Sequence, residues 1–149
     1  MNQGIVQQFD IPQNLYLEPA NLFVAKFMGS PIINIYEMNK EGNALVGDDF
    51  SIDLSLLNES RIKAEINEDK YIVGIRAEYF IISDNPLFKA KIEGAELIGK
   101  DCILNFKLNN KNSKSITDIN EGIRENDEVG FDIDYNGIYI FKEDGTRIY

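Results

Sequence analysis

Hydrophobic positions follow two different periods along the chain, and the period changes near residue 30. Before that point, a strand-like run at 4–9 is followed by two helical patterns at 12–16 and 22–28. Phe23 and Phe27 lie four positions apart, so they share a face of the second helix. Lys26 is the only charged residue of this helix, and Gly29 ends it. The pattern predicts two short helices that pack against a buried surface, which we favour over contact with a membrane.

From Ser30 onward, apolar and polar side chains alternate with a period of two, which is typical of half-buried strands. The segments that show this alternation are 33–37, 50–54, 71–75, 88–93, 103–108, 129–135 and 138–141. Many short strands separated by turn residues predict an all-β domain, either an antiparallel barrel or a sandwich. Residues 55–66 fit a short helix or an irregular cover, and the polar run 109–115 is predicted to be an exposed loop.

One run of the sequence comes close to a phosphate-binding loop. Gly94, Gly99 and Lys100 fit the spacing G-x-x-x-x-G-K, but Asp101 stands where a hydroxyl would hold magnesium. A strand pattern follows this run, whereas phosphate binding needs a helix there, whose first amides face the ligand. We therefore predict a bend between two strands at this place and no nucleotide site.

A second run matches the calcium loop of an EF-hand, D-x-[DN]-x-[DN]-G-x5-E. The matching residues are Asp132, Asp134, Asn136, Gly137 and Glu143. The flanking residues alternate as strands do, whereas a calcium loop of this kind lies between helices. Asn-Gly is also a preferred pair for a two-residue hairpin turn. We favour a hairpin that joins 129–135 to 138–141 and keep a calcium-binding module at 132–143 as the alternative.

Composition narrows the possible functions. The 149 residues carry 15 Lys and Arg against 25 Asp and Glu, a formal net charge of −10 that disfavours nucleic acid and anionic membranes as partners. The lack of histidine excludes Ser-His-Asp and Cys-His catalysis and histidine-ligated zinc. Cys102 is the only cysteine, which excludes an internal disulfide and a metal site built from four cysteines. The length fits one domain, and no apolar run approaches the roughly 20 residues of a membrane-spanning helix.

Several runs of the chain carry a family resemblance. Residues 1–12 read MNQGIVQQFDIP, residues 19–34 read PANLFVAKFMGSPIIN, residues 74–78 read GIRAE and residues 96–99 read ELIG. They resemble M-N-x-G-x-I-Q-Q-x-G-x-P, P-A-N-x-F-V-A-x-F-I-G-S-P-x-M-N, G-I-R-P-E and E-x-L-G, which are motifs of ATPase subunits from ABC importers of the maltose and glycerol-3-phosphate type. Asp10 and Ala77 depart from the glycine and the proline of those motifs.

The resemblance implies a transport-associated OB-fold domain, which is an OB-fold-like antiparallel barrel preceded here by two short helices. Residues 1–29 would be the C-terminal tail of an ATPase domain that this sequence does not contain, and residues 30–149 would be the OB-like regulatory and dimerisation domain. Met1 would then be an internal methionine of a longer parent protein. The motif positions expected to be structural or regulatory are Gly74, Ile75, Arg76, Glu78, Glu96 and Gly99. Arg76 is expected to pair with Glu78 at a strand end, or else to face a regulator.

The resemblance also implies a function without catalysis in this chain. Two such domains would meet across a two-fold axis and hold two ATPase domains together. The expected partners are a second copy in a weak homodimer, the upstream ATPase domain, a regulatory protein and, indirectly, the membrane permease subunits. ATP and Mg would bind the ATPase domain, and no cofactor, metal or nucleic acid is expected to bind this chain. The expected location is cytoplasmic, at the inner face of the cell membrane. An OB-like sensor of small ligands or ions is the alternative.

Overall fold

The computed structural model describes residues 12–149, and the two predicted helices lie at the start of this range. Helix α1 spans Pro12–Leu17, and helix α2 spans Leu22–Phe27. The Asn21 side chain caps α2 by accepting a hydrogen bond from the Val24 amide at 3.0 Å. Gly29 follows with a φ of +104°, which favours glycine and turns the chain away from the helix. The strand-like run predicted at 4–9 lies outside the described residues.

The rest of the described chain is built from short strands, as the period of two predicts. The strands are β1 (Asn34–Glu41), β2 (Ala44–Val46), β3 (Ser51–Asp53), β4 (Lys70–Ile75), β5 (Phe80–Ile82), β6 (Phe88–Lys91), β7 (Gly94–Ile98), β8 (Asp101–Leu108), β9 (Lys111–Asp118), β10 (Glu128–Ile133) and β11 (Ile138–Phe141). They form three sheets, ordered β11-β4-β1-β2-β3, β5-β10-β6 and β7-β8-β9. Each of these pairings is antiparallel. The fold is therefore all-β and OB-like, with two short helices before it.

The hydrophobic core lies where the three sheets face one another. Phe80 on β5, Phe88 on β6, Phe106 on β8 and Phe131 on β10 pack ring against ring, with centroids 4.9 to 6.2 Å apart. Phe50 extends this cluster toward the five-stranded sheet, because its ring lies 5.9 Å from Phe88. Aromatic rings at these spacings attract each other beyond their burial alone. The aromatic cluster thus joins the sheets into one core.

Residues 111–115 of the polar run begin strand β9, which corrects the prediction that the whole run is an exposed loop. Asn109 and Asn110 have φ values of 51° and 60°, as a tight two-residue hairpin turn requires, and β9 then pairs with β8 from Lys111 onward. Ser113 and Ser115 of β9 are buried. The Ser113 hydroxyl shares a 2.6 Å hydrogen bond with the Tyr36 hydroxyl. Buried serines gave this strand a polar appearance in the sequence.

The predicted hairpin around Asn136 and Gly137 is wrong. Strand β10 pairs with β5 and β6, whereas β11 pairs with β4 in a different sheet. The chain crosses between the sheets through a 3-10 turn at Tyr135–Gly137, capped by the Asp134 side chain. A Cβ on Gly137 would lie 2.0 Å from Cγ of Tyr79, so the glycine allows a close approach rather than a hairpin. Strands flank this run, so the helix–loop–helix geometry of an EF-hand is not formed here.

Residues 94–101 and residues 55–66 contain no α-helix. The run at 94–101 forms β7, a turn with Gly99 at a φ of +59°, and the start of β8. It is a hairpin, and a strand rather than a helix follows Lys100, as predicted. Residues 55–66 form an irregular cover that contains the 3-10 turns Leu54–Leu56 and Glu59–Arg61.

Candidate functional site

The arginine of the GIRAE run lies at the junction between the helices and the sheets. Arg76 follows β4 directly, and its side chain is buried with 1% of its surface exposed. Its Nη1 donates to the carbonyls of Met28 at 2.8 Å and Ala25 at 3.4 Å, and its Nη2 donates to the carbonyl of Tyr16 at 2.8 Å. These acceptors belong to the last turns of α1 and α2, whose carbonyls have no partner within a helix. Arg76 therefore holds both helices against the end of β4.

The predicted pair between Arg76 and Glu78 does not form, because both side chains bind the helical segment instead. The Tyr16 hydroxyl donates to Oε1 of Glu78. The Tyr16 ring stacks on Arg76, with the guanidinium carbon 4.1 Å from the ring centroid. Burial lowers the pKa of the Arg76 guanidinium, but arginine stays charged at this site because its ordinary pKa is so high. Its Nε has no hydrogen-bond partner among the described residues.

A second buried arginine, Arg147, binds the segment between the two helices. Arg147 donates from Nη1 to Oε2 of Glu18 at 2.9 Å and to the carbonyl of Pro19 at 3.2 Å. The side chain of Arg147 is 3% exposed and that of Glu18 is 63% exposed. A main-chain bond adds to this contact, since the Leu22 amide donates to the Gly145 carbonyl at 2.9 Å. The C-terminal residues of the chain thus bind the residues between α1 and α2.

Tyr139 lies at the centre of the junction and is surrounded by cations. The guanidinium carbons of Arg61, Arg76 and Arg147 lie 5.3, 5.6 and 5.1 Å from its ring centroid. Its hydroxyl donates to the carbonyl of Leu17 at 3.0 Å. Burial raises the pKa of Tyr139, and the three cations oppose that shift without cancelling it. The hydroxyl therefore stays protonated and keeps its hydrogen bond to α1.

The other motif positions support the same sheet or lie elsewhere. Ile75 is fully buried in β4, beside Arg76. A Cβ on Gly74 would lie 2.7 Å from Cδ1 of Ile33, so the glycine lets the segment after α2 cross β4 closely. Glu96 lies exposed on β7, and Gly99 forms the β7–β8 turn. The structure thus gathers Gly74, Ile75, Arg76 and Glu78 at one junction and places Glu96 and Gly99 in a different sheet.

Sequence reasoning missed Arg61, Tyr139 and Arg147, which carry much of the junction. No local pattern marks them, because their partners lie up to 129 positions away in the chain. The one available signal was that Tyr139 occurs in the otherwise apolar run 138–141. At this junction, arginine side chains donate hydrogen bonds to main-chain carbonyls of the helices and of the segment between them. The described side chains of the junction include no nucleophile paired with a base. Within residues 12–149, no group of three His, Cys, Asp or Glu side chains is placed to bind a metal ion.

Apolar side chains are exposed on the edge strand β7 and the turn beside it. Leu97 is 66% exposed, Ile98 is 51% exposed and Ile119 is 37% exposed. Among the described strands, β7 pairs with β8 alone, so its other edge presents amides and carbonyls that no described strand pairs. Apolar edges of this kind favour association with another chain. No helix in the described part of the chain has the length and apolar character needed to cross a bilayer.

Comparison with known proteins finds relatives along the whole chain, although no family model matches it. The putative ABC transporter ATP-binding protein of Mycoplasma genitalium is 32% identical over 97% of the chain and 24% of that protein. The sn-glycerol-3-phosphate import ATP-binding protein of Psychromonas ingrahamii is 31% identical over 99% of the chain and 40% of that protein. The osmoprotective compounds uptake ATP-binding protein of Synechocystis is 30% identical over 100% of the chain and 43% of that protein. The chain therefore spans less than half the length of these relatives.

Proposed function

Because the chain belongs to the family of ABC transporter ATP-binding proteins, we propose that it is the regulatory and dimerisation domain of such a subunit in a carbohydrate importer. The helical segment 12–28 leads toward the ATPase domain of the parent subunit. The sheets bind a second copy and so hold two ATPase domains at high local concentration while those domains open and close. The subunit works at the inner face of the cell membrane, on permease subunits that it reaches through the ATPase domain.

The observation that supports this proposal most strongly is the junction around Arg76 and Tyr139. The sheets can hold the ATPase domains together only if they are firmly attached to the helices α1 and α2. Here Arg76, Tyr139 and Arg147 bind carbonyls along the whole helical segment, from Tyr16 to Met28. Three buried side chains, on β11, directly after β4 and near the C-terminus, thus hold two helices that are too short to be stable in isolation. A displacement of that segment moves the sheets with it.

Strand β7 is the surface that best fits the second copy. Its outer edge pairs with no other strand of the described chain. Leu97 on β7 is more exposed than most apolar side chains in the described residues. Two β7 edges related by a two-fold axis would pair antiparallel, which gives the same patch to both chains. Such a contact is weak in this chain by itself, because two chains with a formal charge of −10 repel each other.

Sedimentation equilibrium of the full 149-residue chain tests the contact. The change Leu97→Asp places a charge at the two-fold contact, and we expect it to weaken dimerisation by roughly tenfold or more. Leu56→Asp is the matched control, because Leu56 is 63% exposed and lies outside the β7–β8–β9 sheet. Equal effects of both changes, or a chain that is monomeric at every concentration, would contradict a dimer through β7.

We also propose that this chain does not bind or hydrolyse ATP. Lys100 lies in the turn of a strand hairpin, and Asp101 begins β8, so the amides of a helix N-terminus are not present to bind phosphate there. ATP and Mg bind the ATPase domain of the parent subunit. Titration calorimetry with Mg-ATP is expected to show only the heat of dilution. Saturable micromolar binding that is lost in Lys100→Ala would refute this part of the proposal.

A further inference from the structure

A cleft of about 770 Å³ opens between the residues that follow α2 and the outer face of the β7–β8–β9 sheet. One wall is formed by the segment Gly29–Ile35 after α2, and the other by β7, β8 and the start of β9. The volume lies within the range of small-molecule sites in proteins. The cleft contains neither the side chains of the junction around Arg76 nor that of Leu97, and of the exposed apolar residues on β7 it shares only Ile98. The function proposed above therefore assigns no role to this cleft.

The charge in this cleft is opposite to that of the whole chain. Three lysines line it, Lys26, Lys111 and Lys114, and Glu96 is the only acidic residue among its described lining residues. Within residues 12–149, the ion pairs join other residues, so no described carboxylate lies within 4.0 Å of these three ammonium groups. Three cations that no described carboxylate pairs, in a chain with a net charge of −10, form a local positive field that attracts anions.

Two of the cations are carried by backbone that is fixed in place. The Asn34 side chain donates to the Lys114 carbonyl at 2.9 Å and accepts from the Lys114 amide at 2.8 Å, which ties β9 to β1 at the cleft. Lys111 begins β9 directly after the tight turn at Asn109 and Asn110. Lys26 also borders the acidic turn at Glu143 and Asp144, so Lys111 and Lys114 are the cleaner probes of the cleft.

The floor of the cleft is apolar. Ile35, Ile98 and Ile103 line it beside Pro31 and Ile32. Ile103 faces away from the core on β8, where its neighbours Cys102 and Leu104 are buried in the core, and it is half-exposed. Small-molecule sites combine such apolar surface with a few placed charged groups that fix the orientation of the ligand. A bare inorganic ion would use the lysines and leave this floor uncovered.

We propose that this cleft binds a small organic phosphate, with the phosphate near Lys114, the organic body on the isoleucine floor, and Lys26 and Lys111 adding positive charge at the edges of the cleft. Lysine ammonium groups bind phosphate as point charges, and a dianion is attracted by several of them at once. Because the cleft lies between the residues that follow α2 and the sheet, the ligand contacts both. This binding site goes beyond the proposed dimerisation, and it can be present or absent independently of it.

The test is a titration of the full, 15N-labelled chain with phenyl phosphate, followed by amide chemical shifts. We expect saturable shifts at the amides of Ile35, Ile103 and Lys114, with a dissociation constant of about 1 mM or lower. Binding is expected to weaken as salt rises, because the lysines are exposed and screened. Inorganic phosphate is expected to bind several-fold more weakly than phenyl phosphate, since it does not cover the apolar floor.

Substitutions of lysines distinguish binding in the cleft from non-specific attraction of phosphate to surface lysines. Lys114→Ala is expected to weaken binding by about threefold to fivefold, and Lys111→Ala with Lys114→Ala by about tenfold or more. Lys70→Ala is the matched control, because Lys70 is exposed at the far end of β4 and its loss changes the net charge equally. Any one of three results would overturn the proposal: no saturable shift, an equal loss in Lys70→Ala, or equal affinity for inorganic and phenyl phosphate.

Discussion

Arg76 is a buried cation whose charge is met by main-chain carbonyls instead of a carboxylate. Three carbonyl oxygens, from Tyr16, Ala25 and Met28, accept from its two terminal nitrogens. Burying such a group is costly, and the cost is offset only while those partners are in place. The same bonds satisfy carbonyls that the two helices cannot pair themselves. One side chain thus stabilises the ends of two helices and fixes them to β4.

The change Arg76→Met removes these bonds while keeping much of the side-chain length. We expect the free energy of unfolding to fall by about 2–4 kcal/mol, because three partly or fully buried carbonyls lose their partner. Urea denaturation of the full chain measures this loss. Arg124→Met is the control, since Arg124 is exposed, and it is expected to change the free energy by about 0.5 kcal/mol or less. A loss in Arg76→Met no larger than the control would mean that the bonds contribute nothing.

The motif in the sequence identifies Arg76 as a candidate site residue, but the partner predicted for it, Glu78, is wrong. Glu78 is the nearest acid in the chain, so pairing by proximity favoured it. The true acceptors are carbonyls, which every residue carries, and only the folded chain decides which of them lie near the guanidinium. The same reason hid Arg147, whose partner Glu18 lies 129 positions away. Long-range polar contacts of this kind leave no period in a sequence.

At the scale of the elements, the alternation of apolar and polar residues predicts most strands, but the hairpin turn is predicted at the wrong pair of residues. Asn136 and Gly137 were expected to form the hairpin turn, while Asn109 and Asn110 form one. Both pairs suit positive φ, and what separates them is which strands lie next to each other in a sheet. The grouping into three sheets depends on the packing of the aromatic core, which alternation does not encode. Alternation therefore predicted seven strands and missed β2, β5, β7 and β9, and it did not predict how the strands pair.

Gly137 is expected to be essential for the crossing between β10 and β11. In Gly137→Ala the new Cβ would lie 2.0 Å from Cγ and 2.3 Å from Cβ of Tyr79, so backbone or ring must shift. We expect a loss of about 3 kcal/mol or more in the free energy of unfolding, measured by urea denaturation.

Gly94→Ala is the matched control for Gly137→Ala. The nearest atom to its new Cβ, Nδ2 of Asn105, is 3.6 Å away, which is an ordinary contact distance. Gly94 lies in β7, where alanine is tolerated at least as well as glycine, so the change is expected to leave stability within about 1 kcal/mol of the original. A harmless Gly137→Ala would show that the close approach of Tyr79 does not require glycine.

For the whole molecule, net charge and apolar surface act in opposite directions on self-association. Two chains with a formal charge of −10 repel, and dissolved salt screens that repulsion over about 10 Å at 0.1 M. The exposed side chain of Leu97 favours association at any salt concentration. We therefore expect the dimer fraction in sedimentation equilibrium to rise with salt. A dimer that dissociates as salt rises would instead be held by ion pairs, and the apolar contact at β7 would be excluded.

The proposed tether works only if helices and sheets open together, and native-state hydrogen exchange measures this directly. The Ala25 amide in α2 donates to the Asn21 carbonyl, and the Val73 amide lies in strand β4, which pairs with β1 on one side and β11 on the other. If the junction joins them into one cooperative unit, the free energies of opening at both amides will agree within about 1 kcal/mol and approach that of global unfolding. An Ala25 amide that exchanges several kcal/mol more easily than Val73 would mean that the helices detach freely, which would contradict the tether.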